Sequence, residues 1–177
     1  MKTRNSKNLK VIIITGTPCT GKTTLAKKLS HKLGYKLISC KFIISKHNLA
    51  DAYDDQMRCK VVDIKKLNKY LIGLIMDTDK YNKKNKSDGI NGLVIESHLS
   101  HYLPKKYVDL CVVTKCNLHV LKKRLEKRGY SDKKVRENLD CEIFDVCLSE
   151  AKEINHICIV VDTTKCYNIS YLIKKFK

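Results

Sequence analysis

The chain has 177 residues, with 36 Lys and Arg against 18 Asp and Glu, which gives a formal net charge of +18. This length suits one domain with a sizeable core over residues 1–177, and no apolar run approaches the roughly 20 residues that cross a bilayer. We therefore expect a soluble intracellular protein with no membrane partner. The charge is compatible with RNA contact and equally with compositional drift, so it does not separate these two explanations.

The nine cysteines raise the question of a disulfide scaffold. Their number is odd, no C-x-x-C pair occurs, and a chain of this length needs no covalent staples. We interpret them as small buried hydrophobes and free thiols.

Short apolar runs alternate with helical periodicity along the chain. Strands are expected at residues 11–15, 35–39, 93–96, 109–114 and 156–162. Helices are expected at residues 22–33, about 62–77, 118–127, 131–153 and 169–176. This alternation predicts an α/β fold with a parallel five-stranded sheet flanked by helices. The polar segment 80–91 is predicted to be a solvated loop.

The first strand and helix enclose a phosphate-binding motif. Residues 16–23 read GTPCTGKT and match G-x-x-x-x-G-K-[ST], with the strand before and the helix after that a P-loop requires. Gly16 and Gly21 let the backbone curl so that its N–H groups cradle phosphate oxygens. Lys22 is expected to reach the outer phosphates of a nucleoside triphosphate, and the Thr23 hydroxyl to ligate Mg²⁺.

A second signal follows the strand at residues 93–96. Glu96 comes at its carboxyl end, where a parallel sheet collects ligands, and this is where P-loop proteins carry the carboxylate that holds Mg²⁺ or its waters. His98, two residues on, is a candidate to orient water or to act as a base near the γ-phosphate. His101 is predicted to lie on the surface.

A third signal is the basic helix that ends at Gly129. Arg124 and Arg128 lie four residues apart and so share one helical face, and the glycine ends the helix. Two guanidinium groups beside a glycine hinge suit a lid that closes over transferring phosphates and offsets their charge. The alternative is a plain amphipathic helix with a capping glycine.

Three segments together resemble one family. They read GTPCTGKTT, IESH and RLEKRGYSDKKVRENLDCEIFDVCLSEA, and they are similar to the atypical nuclear adenylate kinase family, often called adenylate kinase isoenzyme 6. The resemblance runs from about residue 11 to residue 153, and the block 124–151 is its most distinctive part. It implies a P-loop NTPase fold of the nucleoside monophosphate kinase type.

The resemblance also implies two mobile elements and a set of contacts. Residues 39–62 would form the insertion that binds the nucleoside monophosphate, and residues 127–137 a short lid. Glu96 falls where the family usually has Asp, and His98 takes the position of its characteristic histidine. Contacts to the ATP phosphates are implied for Cys19, Gly21, Lys22, Thr23, Thr24 and, from the lid, Arg128.

Two departures from the family pattern stand out. Cys19 replaces a usual glycine of the loop, and a non-glycine residue resists positive φ. The insertion reads SCKFIISKHNLADAYDD, without the Gly-Asp and Arg that the family carries; Lys41, Ser45 and Lys46 lie there instead. A lysine cannot grip a phosphate bidentately as an arginine does.

Three functions remain open at this point. The family's reaction is ATP + AMP ⇌ 2 ADP with Mg²⁺, in which Lys22, Arg124 and Arg128 would stabilise the transferring phosphoryl group. The family also has ATPase activity linked to a small-subunit ribosomal protein and to maturation of 18S rRNA, which implies pre-ribosomal particles as partners and a place in nucleus and cytoplasm. The alternatives are an ATPase assembly factor with little AMP kinase activity and a small-metabolite P-loop kinase.

Overall fold

A computed structural model describes residues 9–56, 59–85 and 89–176. Its main sheet has five parallel strands, β1 (Lys10–Thr15), β2 (Lys36–Ser39), β5 (Gly92–Glu96), β6 (Leu110–Lys115) and β7 (Cys158–Asp162), in the order β2-β5-β1-β6-β7. A separate antiparallel hairpin is formed by β3 (Ala50–Asp54) and β4 (Cys59–Val62). The predicted α/β fold with a five-stranded parallel sheet is confirmed.

The helices connect these strands and cover both faces of the sheet. They are α1 (Lys22–Leu33), α2 (Cys40–Lys46), α3 (Ile64–Lys84), α4 (Leu118–Lys127), α5 (Asp132–Ile143), α6 (Val146–Glu153) and α7 (Ile169–Phe176). Two short 3₁₀ turns, Ser100–Tyr102 and Lys105–Tyr107, lie between β5 and β6.

The central strand β1 explains the two-layer packing. Its side chains alternate between faces, so Val11 and Ile13 join a core with α3 and α6 on one side. Ile12 and Ile14 join a second core with α1 and α7 on the other. Because both faces are covered, the strand reads as an unbroken apolar run rather than an alternating one.

Helix α3 is longer than the predicted helix at about 62–77, because it continues to Lys84 and so enters the segment 80–91 that the sequence predicts to be a loop. Its buried stripe of Leu67, Leu71 and Ile75 extends to Asp79 at the same four-residue spacing. An ion pair from Lys83 to Asp79, 3.3 Å, adds support in the last turn. Residues 86–88 lie outside the described residues.

The single helix predicted over residues 131–153 is wrong, since two helices, α5 and α6, occupy this range. Asp145 breaks the run with φ 53°, a left-handed conformation that aspartate tolerates better than most residues. Lys115 donates from Nζ to the carbonyl oxygen of Glu142, 2.7 Å, and to the carboxylate of Asp145. The lysine thus adds a second, shorter hydrogen bond to the Glu142 carbonyl, which the Asp145 amide reaches only at 3.4 Å.

Between β2 and α3, the chain forms α2 and the β3–β4 hairpin, elements that the sequence periodicity did not predict. The segment 39–62 therefore folds beside the sheet as a helix and a two-stranded ribbon, and its residues 57 and 58 lie outside the described residues. Within the described part of the chain, no helix combines the length and apolar character needed to cross a membrane.

Candidate active site

The loop between β1 and α1 adopts backbone conformations that few residues tolerate. Gly16 has φ 135°, and a Cβ there would lie 2.5 Å from the carbonyl oxygen of Thr114. Cys19 has φ 67°, which costs a non-glycine residue roughly 1–2 kcal/mol. The structure therefore keeps the curled loop with a cysteine at the strained position.

The Lys22 side chain lies inside this loop. Its ammonium donates to the carbonyl oxygens of Gly16 and Thr17, both at 2.8 Å. Burial lowers the pKa of Lys22 from its ordinary 10.5 to about 8, opposed by nearby groups such as Glu96. A cation held this way is preorganised for phosphate oxygens, which would replace the two carbonyl groups as its partners.

The predicted pair of metal-site residues is brought together at the carboxyl end of the sheet. Glu96 aligns with Ile14 of the neighbouring strand β1, and its Oε2 accepts from the Thr23 hydroxyl at 3.1 Å. Its Oε1 accepts from the Ser39 hydroxyl at 2.7 Å. Hydroxyl and carboxylate oxygens are the hard donors that Mg²⁺ prefers, so these residues fit such an ion.

The His98 ring lies close enough to Lys22 to be affected by its charge, and one part of its surface stays exposed. Its pKa falls from 6.5 to about 4, first because the surrounding protein takes water away from the ring and then because Lys22, His101 and Lys134 are positive neighbours. The imidazole is therefore neutral at pH 7 and has a free nitrogen lone pair to accept a proton.

The two predicted lid arginines have different surroundings. Arg124 donates from Nη1 to the Cys19 carbonyl at 3.5 Å and from Nη2 to the Thr163 carbonyl at 3.2 Å. Arg128 ends α4 and reaches the Cys19 thiol from Nη1 at 3.6 Å, with its guanidinium 5.5 Å from the centre of the Tyr130 ring. Arg124 thus contacts the loop through the Cys19 carbonyl, while Arg128, at the start of the predicted lid, contacts it through the Cys19 thiol.

A cavity of about 350 Å³ opens beside the loop. Its lining residues come from the loop, from α1, from α4 and from the segment after β7: Cys19, Gly21, Thr24, Arg124, Thr163 and Tyr167. Predicted phosphate-contact residues Cys19, Gly21 and Thr24 thus border a space that can accept the rest of a bound nucleotide.

One residue of this region was missed by sequence analysis. Glu142 of α5 is 4% exposed and accepts from the Thr17 hydroxyl at 2.5 Å and from the Cys116 amide at 2.8 Å. Its signal in the sequence is a polar residue in the buried stripe of α5, seven positions after Val135.

The prediction that His101 lies on the surface is wrong, because its ring is 1% exposed. Its Nδ1 shares a hydrogen bond of 2.6 Å with the Thr15 hydroxyl, and Nε2 one of 2.8 Å with Glu150 of α6. Burial lowers its pKa, opposed by Glu150. The ring therefore connects the end of β1 to α6, a contact that sequence spacing alone does not reveal.

One residue of the predicted lid contacts one residue of the predicted insertion. Lys133 of α5 donates to the side-chain oxygen of Gln56 at the turn of the hairpin, 3.3 Å. Lys41, Ser45 and Lys46 of α2 are exposed. The boundaries 39–62 and 127–137 remain predictions.

This sheet order and loop define the class of P-loop kinases, and a structural comparison agrees. The deoxyadenosine kinase from M. mycoides, solved with bound dATP, superposes with a TM-score of 0.51 over 94% of this chain and 98% of that chain. Only 16% of the aligned residues are identical, so the likeness is one of fold.

Sequence comparison narrows the assignment. Residues 12–145 match the AAA domain family. A protein of Methanocaldococcus jannaschii named "Putative adenylate kinase" is 40% identical over 80% of this chain and 71% of its own length. The adenylate kinase isoenzyme 6 homolog of Caenorhabditis elegans is 34% identical over 86% of this chain and 78% of its own length. The chain belongs to this adenylate kinase isoenzyme 6 family.

Proposed function

We propose that this protein is a Mg²⁺-dependent adenylate kinase that catalyses ATP + AMP ⇌ 2 ADP. The observation that carries the proposal is the position of Glu96 between Thr23 of the phosphate loop and Ser39 at the start of the insertion. One carboxylate thereby joins the residues expected to hold the donor with those expected to hold the acceptor. The names of the relatives support the same assignment.

In this reaction an AMP phosphate oxygen attacks the γ-phosphorus of ATP, and the bond from that phosphorus to the β–γ bridging oxygen breaks. Lys22 and the loop N–H groups stabilise the charge on the β- and γ-phosphates, and Arg128 offsets it from the lid. Thr23 and, through water, Glu96 would hold Mg²⁺, which neutralises phosphate charge when bound. The cavity beside Thr24 and Tyr167 would accept the ATP base.

A coupled assay with AMP as the acceptor tests the proposal. We expect ADP to form faster when AMP is the acceptor than by hydrolysis of ATP in water alone. With other nucleoside monophosphates as acceptors, we expect ADP to form more slowly than with AMP. ADP formation no faster than water-only hydrolysis would overturn the AMP kinase assignment. Faster turnover with a non-nucleotide acceptor would favour the small-metabolite kinase.

The second candidate is an ATPase that acts in assembly of the small ribosomal subunit, in nucleus and cytoplasm. The net charge of +18 and the lysines of α2 in place of a phosphate-gripping arginine support it. Its test is a native pull-down for a small-subunit ribosomal protein and pre-ribosomal particles. Association that is lost at raised salt is expected, and its absence at low salt would count against this role.

We predict that His98→Ala separates hydrolysis from kinase turnover. A phosphate monoester has a second pKa near 6 and so attacks without losing a proton at pH 7.5, whereas attacking water must lose one. Hydrolysis should therefore fall by roughly 100-fold with little change in AMP phosphorylation or ATP affinity. His119→Ala, an exposed histidine of α4, is the control. Unchanged hydrolysis in His98→Ala would refute its role as base.

The pKa values of Lys22 and His98 predict how kcat/KM for ATP and the rate of ATP hydrolysis depend on pH. The pKa of Lys22 is lowered to about 8, so the free protein loses this positive charge as pH rises through 8, and kcat/KM for ATP should fall there. The pKa of His98 is lowered to about 4, so its ring stays neutral and the hydrolysis rate should be flat from pH 7 down to about 5. A decline centred near pH 6.5 would contradict the assigned state of His98.

A further inference from the structure

Glu142 of α5 contacts the phosphate loop at the side chain of Thr17. Its carboxylate is buried, 4% exposed, in a position where an unpaired charge would be costly. Both oxygens have partners: Oε2 accepts from the Thr17 hydroxyl at 2.5 Å, and Oε1 accepts from the Cys116 amide at 2.8 Å and lies 3.7 Å from Lys115 Nζ. Each oxygen of the Glu142 carboxylate therefore has a hydrogen-bond donor.

The partner of Oε2 connects this carboxylate to the phosphate loop. The carbonyl of Thr17, the residue whose hydroxyl Glu142 binds, accepts from Lys22 at 2.8 Å and from the Thr20 hydroxyl at 2.7 Å. Thr17 is itself 2% exposed. Holding its side chain therefore fixes the carbonyl on which the Lys22 ammonium rests, and with it the direction of that ammonium.

Helix α5, which carries Glu142, also connects this contact to the predicted lid. Helix α5 begins within the predicted lid segment and carries Lys133, which contacts Gln56 of the hairpin. The same helix carries Glu142 as its next-to-last residue. A displacement of the lid that moves α5 along its axis must therefore change the bond to Thr17.

We infer that Glu142 is a positioning residue that couples lid helix α5 to the phosphate loop through the Thr17 hydroxyl. It keeps Thr17 and Lys22 in the conformation that binds ATP phosphates, and it links that conformation to the position of the lid. The inference rests on the proposed function in that it assigns the loop to ATP, but it does not depend on which acceptor is phosphorylated.

Calorimetric titration with MgATP tests the inference on four folded variants. Glu142→Gln keeps the shape of the side chain but removes its charge. A glutamine that keeps the Cys116 bond turns its NH₂ group toward Thr17, so the hydroxyl must accept where it now donates to a carboxylate. Thr17→Val removes the donor from the other side. Each change should weaken ATP binding about tenfold. Asp140→Asn, at an exposed acid of the same helix outside the predicted lid, makes the same charge change and should bind ATP as the unmodified chain does.

The double variant Glu142→Gln with Thr17→Val distinguishes coupling from separate damage. If Glu142 acts on the loop through this hydroxyl, the double variant should bind ATP no more than about twofold more weakly than either single variant. Urea unfolding gives the folded fraction of each sample. Additive losses of affinity, or ATP affinity in folded Glu142→Gln equal to that of the unmodified chain, would overturn the inference and show a purely structural role.

The result that would overturn the proposed adenylate kinase activity differs from the result that would overturn the role of Glu142. An unmodified chain that binds MgATP but forms no ADP from AMP overturns the adenylate kinase proposal and leaves the coupling measurement valid. An unmodified chain that binds no MgATP overturns both.

Discussion

Replacing Lys22 by methionine is expected to abolish turnover of ATP. The ammonium is the buried cation of the phosphate loop, held by the carbonyl oxygens of Gly16 and Thr17, and methionine keeps the length of the side chain without its charge. Loss of a preorganised electrostatic group of this kind costs at least about 100-fold in rate. The measurement is kcat with ATP and AMP at pH 7, where Lys22 is protonated because its lowered pKa is still about 8.

The fold should tolerate this substitution. Burial lowers the pKa of Lys22, which means that folding works against its charge. Removal of the charge relieves this cost and offsets the loss of the two hydrogen bonds to the Gly16 and Thr17 carbonyl oxygens. We expect the free energy of unfolding to change by no more than about 1 kcal/mol. Lys27→Met, an exposed position on the same helix, is the control. Near-normal kcat in Lys22→Met would exclude a role for the loop in phosphate transfer.

Replacing Gly16 by alanine is expected to destabilise the fold by about 2–4 kcal/mol. The new Cβ would lie 2.5 Å from both the carbonyl oxygen and the hydroxyl of Thr114, and the backbone at φ 135° is strained for any residue with a side chain. Overpacking of this kind costs roughly 1–3 kcal/mol, and the backbone strain adds to it. The free energy of unfolding in urea measures the effect.

Gly34→Ala is the matched control for this prediction. Gly34 also has positive φ, 65°, but no atom lies within 4 Å of a Cβ placed there. It should therefore show only the conformational cost, roughly 1 kcal/mol. Equal destabilisation by both substitutions would mean that the close approach of Thr114 to Gly16 is not maintained in solution.

The phosphate loop and the strands could be predicted because their signals are local. The run from Val11 to Ile14 is apolar at every position, as a strand covered on both faces must be, and the observed strand β1 covers it. Lys22, Thr23 and Glu96 were also singled out from the sequence, since the motif and the strand end each specify the backbone next to them, and their roles stay predictions. The parallel pairing of β1 with β5 then places Glu96 beside Ile14.

The insertion and the end of the lid block were predicted less well. Helix α2 and the β3–β4 hairpin are short, and the hairpin strands are largely exposed. Neither therefore has an apolar periodicity long enough to predict a helix or a strand. The break at Asp145 is supported by Lys115, a residue of a distant strand that donates to the Glu142 carbonyl and to the Asp145 carboxylate. Such long-range compensation has no local signature.

By itself, the sequence determined that this chain folds around a P-loop, because the glycines, the lysine and the hydroxyl of that motif act through adjacent backbone. Only the tertiary structure decided what surrounds the loop. Thr17 meets Glu142 across 125 positions of the chain, and Thr15 meets His101 across 86. Burial makes these polar contacts necessary, since a carboxylate or an imidazole removed from water must find a partner, and folding alone determines which partner is within reach.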